Sequence, residues 1–331
     1  MTSLRSRAVI RATGMSVPDK IVTNADFERI LDTSDEWITT RTGIKERRLC
    51  ASGQNTADMA AEAARRTLEE AELAPEDVDV LILSTATPDH LLPATACETQ
   101  ALLGCENAAA FDISAACAGW LYGVSLADGL ITAGMHENVL VIGSEKMSAI
   151  LDYTDRTTCV LFGDGAGAAL VTPGAGNGRG ILATHMRTNG RQARLLWRPA
   201  GGAALPSTDE TRSERMEFVK QEGREIFKQA VVSMEESCHR VLEMTGLNIS
   251  EVDLVIPHQA NIRIIEAVAK RLGVEDGRVF INIDRYGNTS SASIPIALDE
   301  ARKQGRIGEG SLILMTAFGG GLSWGASLVV L

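Results

Sequence analysis

RTLEEAELAPEDVDVLI, residues Arg66–Ile82, lies without gaps over RVLEMTGLNISEVDLVI, residues Arg240–Ile256. Arg66/Arg240, Leu68/Leu242, Glu69/Glu243, Leu73/Leu247, Val78/Val252, Asp79/Asp253 and Ile82/Ile256 are identical pairs. A second correspondence sets the segment around Cys117 over that around Asn288, each ahead of a predicted helix, and VLVIG from Val139 over LILMT from Leu312. Around these stretches apolar β-rich runs alternate with alanine-rich helical ones, which predicts helices over 56–72 and 120–133 and strands over 78–83 and 139–142. The order of elements therefore repeats once. The chain reads as a duplicated α/β unit whose seam is the glycine-rich PGAGNGRG, Pro173–Gly180, giving expected halves of residues 1–175 and 176–331.

Composition sets the outer limits. The 331 residues are 45% hydrophobic and 23% charged, with a mean hydropathy of +0.02, which is globular and excludes disorder or a collagen-like repeat. Lys plus Arg is 32 against 43 Asp plus Glu, a net charge of -11, so no general affinity for nucleic acid or an anionic membrane is expected. An acidic partner would need a local basic patch. No apolar run approaches the roughly 18 residues of a membrane span, and the opening MTSLRSRAVIRATG has no apolar core, so a soluble, cytoplasmic protein is expected. Cys50, Cys97, Cys105, Cys117, Cys159 and Cys238 show neither CxxC spacing nor nearby paired histidines, which argues against a disulfide framework or a zinc site.

Three polar clusters stand at element ends. AACAG, Ala115–Gly119, follows the strand-like AAFDI and opens a helix; PHQAN, Pro257–Asn261, follows LVI; GNTSSA, Gly287–Ala292, precedes another helix. A cysteine at a helix N-terminus meets free backbone N–H groups and the positive end of the dipole, so its thiolate is favoured and its pKa falls. Taken singly, Cys117 reads as readily as a small buried hydrophobe, His258 as a packed residue and Asn288 as a turn former. Taken together, in equivalent frames of two halves, they suggest a Cys, His, Asn constellation for acyl transfer. FGGGL, Phe318–Leu322, offers a further N–H to an oxyanion, whereas GDGAG, Gly163–Gly167, lacks the context of a dinucleotide loop.

DEWITTRTGI, DISAACAG, PHQAN, GNTSSASIP and FGGGLSWG, in this order along nearly the whole chain, resemble the 3-oxoacyl-(acyl-carrier-protein) synthase III family of condensing enzymes. The resemblance implies the α/β thiolase fold, two βαβαβαββ-type halves in a five-layered αβαβα arrangement, and a homodimer. It implies decarboxylating condensation of an acyl-CoA with malonyl-ACP, with Cys117 as nucleophile, His258 and Asn288 completing the triad, and the N–H groups of Cys117 and Gly320 as oxyanion hole. No metal or redox cofactor is implied. By the same resemblance Trp37 and Arg156 sandwich the CoA adenine, Thr33 and Arg41 line the nucleotide end, Asn261 serves the pantetheine arm, and Arg224 departs from the usual Asn. Lys228, Arg263, Lys270 and Arg271 are the expected carrier-protein patch; the last three sit at i, i+7 and i+8 of one predicted helix. Leu92 stands where acetyl-selective relatives carry Phe and is the expected acyl-pocket gate, contributed across the dimer. Related acyl-CoA enzymes and a noncatalytic acyl-binding scaffold are the competing classes. A thiolase would need a second catalytic cysteine, and an enolising synthase a general-base Glu near Cys117, where the sequence shows none.

Overall fold

The computed structural model describes residues 8–275 and 277–331; residues 1–7, on which part of the leader reading rests, lie outside. After β1 (Ala8–Ser16), a ribbon of β2 (Ile21–Thr23) and β3 (Glu46–Arg48) brackets α1 (Asn24–Glu28) and α2 (Asp35–Thr42). Then come α3 (Thr56–Ala71), β4 (Val80–Ser84), α4 (Thr95–Leu103), β5 (Ala109–Ile113), α5 (Gly119–Thr132), β6 (Val139–Glu145) and β7 (Gly165–Pro173). The second half restarts with β8 (Gly180–Thr188) and carries an insertion of β9 (Leu196–Trp197), α6 (Asp209–Ser213) and β10 (Lys220–Gln221). It continues through α7 (Gly223–Thr245), β11 (Leu254–Pro257), α8 (Ile262–Leu272), α9 (Ile283–Tyr286), α10 (Ser293–Lys303), β12 (Leu312–Gly319) and β13 (Ser323–Val330).

One sheet has the order β1-β7-β6-β4-β5 and the other β11-β12-β13-β8. In the first, β4 runs parallel to both β5 and β6; in the second, β11 runs parallel to β12. The aligned segments Arg66–Ile82 and Arg240–Ile256 fall on α3 into β4 and α7 into β11. The glycine-rich seam is the connection from β7 to β8. Among the described residues the repeat differs at one place: where the first sheet has β5, the second has a lone bridge between Val255 and Val279.

Each sheet is covered on both faces, which is why β4 and β6 are apolar and buried along their whole length rather than alternating. One core joins α3 and α4 to the outer face of the first sheet, a second joins α5 and α10 to the inner faces of both sheets, and a third joins α7 and α8 to the outer face of the second sheet. These are the five layers of the thiolase fold. Helix α3 begins in a capping box of Asn55 and Asp58 and presents Ala57, Ala60, Ala61, Ala63, Ala64 and Ala71 to the sheet, so its backbone approaches closely.

Candidate active site

Cys117 lies not in the first turn of α5 but in a single 3₁₀ turn, Ala116–Ala118, that carries β5 into it. Its counterpart is the 3₁₀ turn Ser290–Ala292 leading into α10. Ala116 at φ +46° and Ser290 at φ +50° occupy the same position of the two turns, both left-handed. The turns meet between the central helices, and there the Cys117 Sγ lies 3.5 Å from the Ser290 Oγ.

His258 follows β11. Its backbone N–H donates to the Thr316 carbonyl on β12 at 2.8 Å, and Gln259 is pinned by the Ser293 hydroxyl and by the Pro257 and Phe280 carbonyls. Asn288 is held by backbone bonds to Leu161 and Gly163. Its Oδ1 accepts from the Ser290 N–H at 2.8 Å, which leaves the amide NH2 for the cavity. Cys117, His258 and Asn288 line one cavity of about 130 Å³ together with Leu161, Phe162 and Phe318. It opens past Asn261 to Gly223 and Phe227, both exposed. Cys117 also lines an apolar pocket of about 120 Å³ walled by Met147, Ile150, Phe162, Leu196 and Val219, with Gly320 at its edge. The sulfur therefore stands where an apolar pocket meets a polar channel, an arrangement matched to a thioester with an apolar acyl end and a long polar arm.

Electrostatics corrects one expectation. The Cys117 thiol is not lowered: burial pushes it up to about 12, and the nearby Glu145 adds to the rise. The partial charge of one short turn does not offset the loss of solvent around a residue only 7% exposed. Burial likewise holds His258 neutral, down at about 3, and among the described residues neither ring nitrogen has a hydrogen-bond partner. Glu145 is the second correction, because an acidic side chain does stand near Cys117. It is fully buried at the end of β6 and accepts from the Ser290 and Ser291 hydroxyls at 3.0 and 2.8 Å, linking it to Cys117 through one serine. The distance along the chain hid it. The signal that finds it is its position at the carboxyl end of a parallel strand, where α/β sheets place their sites.

The remaining expected residues separate into groups. Arg41 and Arg156 both stack on Trp37, at 4.5 and 5.2 Å from guanidinium carbon to ring centroid, and Arg156 also bonds Asp32. At that spacing no flat ring fits between the Trp37 indole and the Arg156 guanidinium as they stand. Thr33 holds a buried hydroxyl without a partner among the described residues. Asn261 is the N-cap of α8, its Oδ1 on the Arg263 N–H and its amide on the Arg41 carbonyl, which ties α8 to α2. Gly43 permits that contact, since a Cβ there would stand 2.7 Å from Ile262. Arg224, Lys228, Arg263, Lys270 and Arg271 are all exposed, but Lys228 pairs with Glu225 and Arg271 with Glu235. Leu92 is 89% exposed and is not part of its own chain's apolar pocket. Among the described residues no cluster of three or more His, Cys, Asp or Glu is placed to hold a metal ion, and no helix is long and apolar enough to cross a membrane.

A family model described as 3-oxoacyl-[acyl-carrier-protein (ACP)] synthase III matches residues 111–190, and its C-terminal companion matches residues 242–331. A beta-ketoacyl-[acyl-carrier-protein] synthase III from Caldanaerobacter subterraneus subsp. tengcongensis is 51% identical over 322 residues, 97% of each chain. The crystal structure of 3-oxoacyl-[acyl-carrier-protein] synthase III from Aquifex aeolicus superimposes with a TM-score of 0.90 at 50% identity, covering 98% of this chain and 100% of that one. The priming beta-ketosynthase from the R1128 polyketide biosynthetic pathway superimposes with a TM-score of 0.91 at 33% identity, covering 99% and 97%.

Proposed function

The chain belongs to the 3-oxoacyl-[acyl-carrier-protein] synthase III family, and from that premise we propose that its chemistry runs through Cys117, His258 and Asn288. The reaction is a decarboxylating condensation that starts fatty acid synthesis: an acyl-CoA and malonyl-ACP give 3-oxoacyl-ACP, CO2 and CoA. The observation that carries the residue assignment is the shared cavity, in which Cys117 alone of the three also reaches the apolar pocket.

In the first half-reaction the Cys117 sulfur attacks the acyl-CoA carbonyl, with the N–H groups of Cys117 and Gly320 facing the oxyanion. The acyl group stays on sulfur, and the thiol's proton leaves with CoA. Malonyl-ACP then replaces CoA. The neutral His258 ring donates its N–H, and Asn288 its amide N–H, to the thioester oxygen, which stabilises the enolate formed as CO2 departs. That carbon attacks the acyl-cysteine, the product leaves on the carrier, and the Cys117 thiolate takes one proton from solvent. No cofactor takes part.

Thr33, Trp37, Arg41 and Arg156 hold the nucleotide end of CoA, with Asn261 along the arm, and Arg263 and Lys270 with the neighbouring Lys228 and Arg271 meet the acidic carrier. The halves are residues 1–175 and 176–331. The open edge of β5, with Phe111, Leu102 and Leu126 exposed around it, supports a homodimer through this face, and the cytoplasm is the proposed compartment. Intact-mass spectrometry after incubation with a panel of acyl-CoAs tests the reading. Cys117→Ala gains no acyl mass, while His258→Ala and Asn288→Ala lose CO2 release more than acylation; equal loss of both steps in the latter pair would contradict the division of roles.

A further inference from the structure

Glu145 is a buried acid that the reaction just described does not use. Its side chain has no exposure, and it is ringed by donors: the Thr85 and Thr87 hydroxyls at 3.3 and 2.7 Å, the Ala86 N–H at 3.0 Å, the Ser290 hydroxyl, and the Ser291 hydroxyl, whose hydrogen the Ser84 carbonyl at 2.9 Å shares. Two of its contacts are backbone N–H groups, which cannot accept. The Ala86 N–H reaches Oε2, and the Ser291 N–H reaches Oε1 at 3.4 Å. Both carboxyl oxygens therefore accept; burial pushes the Glu145 pKa up, and the Thr87, Ser291, Ala86 and Ser290 donors pull against that rise and favour the carboxylate.

This fixes the direction of the serine bridge. Ser290 has one hydroxyl hydrogen and two neighbours, the Glu145 Oε1 at 3.0 Å and the Cys117 Sγ at 3.5 Å. The carboxylate is the nearer and stronger acceptor and takes the hydrogen. A serine beside a cysteine can donate to the thiolate, but here the oxygen lone pair faces the sulfur.

We propose that Glu145 is a positioning residue for acylation: by holding the Ser290 hydrogen, it turns the serine oxygen toward Cys117 and keeps the nucleophile a thiol aimed at Ser290 until a thioester arrives. It adds no step to the reaction and rests on the reading of Cys117 as the acylated residue. The other titratable groups nearby do not compete for this part. His258 lies across the cavity and is neutral, and the Lys146 ammonium turns away to the Gln54 carbonyl at 2.7 Å and to Asn55. From β12, Gly319 packs on Cys117 without an ionisable group.

The pH dependence of Cys117 alkylation by iodoacetamide, mapped by peptide mass spectrometry, tests the proposal apart from turnover. Glu145→Gln lowers the alkylation midpoint by about one pH unit, a tenfold gain in thiolate at a fixed pH below it. Glu145→Asp keeps the charge but withdraws its reach from Ser290, and lowers the midpoint as well. Ser290→Ala removes the acceptor and also lowers it, and adding Glu145→Gln to Ser290→Ala gives little further change. A midpoint that rises in Ser290→Ala, stays in place in both Glu145 variants, or falls by the full increment in the double variant overturns the relay. Should Glu145→Gln not fold, Ser290→Ala still decides by the sign of its shift. Failure of Cys117 to take an acyl group from any acyl-CoA would instead remove the function reading, a different outcome on a different assay.

Discussion

Gly319 and Cys117 touch backbone to backbone: a Cβ at Gly319 would stand 2.6 Å from the Cys117 nitrogen and 3.0 Å from its Cβ. Gly319, the last residue of β12 and the first glycine of its run, is thus a spacer for Cys117 of the other half. Gly319→Ala must push the 3₁₀ turn aside, at a cost of about 1–3 kcal/mol typical of overpacking. Acyl-enzyme formation falls by roughly 100-fold, because a displacement near 1 Å is that costly to an aligned nucleophile. Stopped-flow acylation with the variant checks this, and an unchanged rate would show that the turn yields without moving the sulfur.

His258 links stability to acid. Its folded-state pKa is depressed by burial to about 3 from an ordinary value of 6.5, so the neutral form is the one the fold accepts. Between those values the unfolded chain binds a proton that the folded chain refuses. Stability is therefore lost as pH falls from about 6.5, by at most about 1.4 kcal/mol per pH unit from this group. Urea unfolding of the native protein and of His258→Asn at pH 7, 6, 5 and 4 measures the difference. The variant's curve is flatter with pH, and parallel curves would remove His258 as the cause.

Within the proposed carrier patch, the cations outside ion pairs are the ones to test. Lys228 and Arg271 have carboxylate partners on α7, while no such pair is formed by Arg263 or Lys270 among the described residues. Arg263→Glu therefore raises the KM for malonyl-ACP about tenfold, with little effect on the KM for acyl-CoA, and the defect shrinks at high salt. An equal change for both substrates would mean that the residue acts on the cavity mouth they share.

Leu92, the proposed chain-length gate, is 89% exposed on the loop ahead of α4. Placed across a dimer, a leucine closes an apolar pocket less fully than a planar ring. Leu92→Phe shifts kcat/KM toward acetyl-CoA over starters of six or more carbons by about tenfold, equivalent to about 1.4 kcal/mol of lost fit. An acyl-CoA panel assayed against both proteins reads the shift. No change would move the length limit to Ile150, Leu196 or another wall residue.

The duplication was legible because both copies carry the same apolar spacing, and the seam at Pro173–Gly180 showed as glycine where no core position is needed. That the counterpart of β5 is a single bridge among the described residues was not legible, since shortening one edge strand leaves the residues that pack the layers unchanged. Cys117, His258 and Asn288 were visible as polar residues at element ends. Glu145 and Ser290 were not, because strand β6 reads as an apolar run whose last residue looks like an ordinary exposed end, and only the meeting of two turns brings them to the sulfur. The raised thiol was missed for the same reason: proximity to a helix start can be read along the chain, whereas burial comes from the other half.

That division has a consequence for how the enzyme comes into being. Cys117 and Glu145 lie on one half, and His258, Asn288 and Ser290 on the other. The bonds from Asn288 to Leu161 and Gly163, and from Ser290 and Ser291 to Glu145, form only when the halves are docked. A nascent chain that has completed its first half carries a cysteine with no partner chemistry and no closed pocket. Until the second half docks, the cavity that Cys117 shares with His258 and Asn288 has only one of its walls.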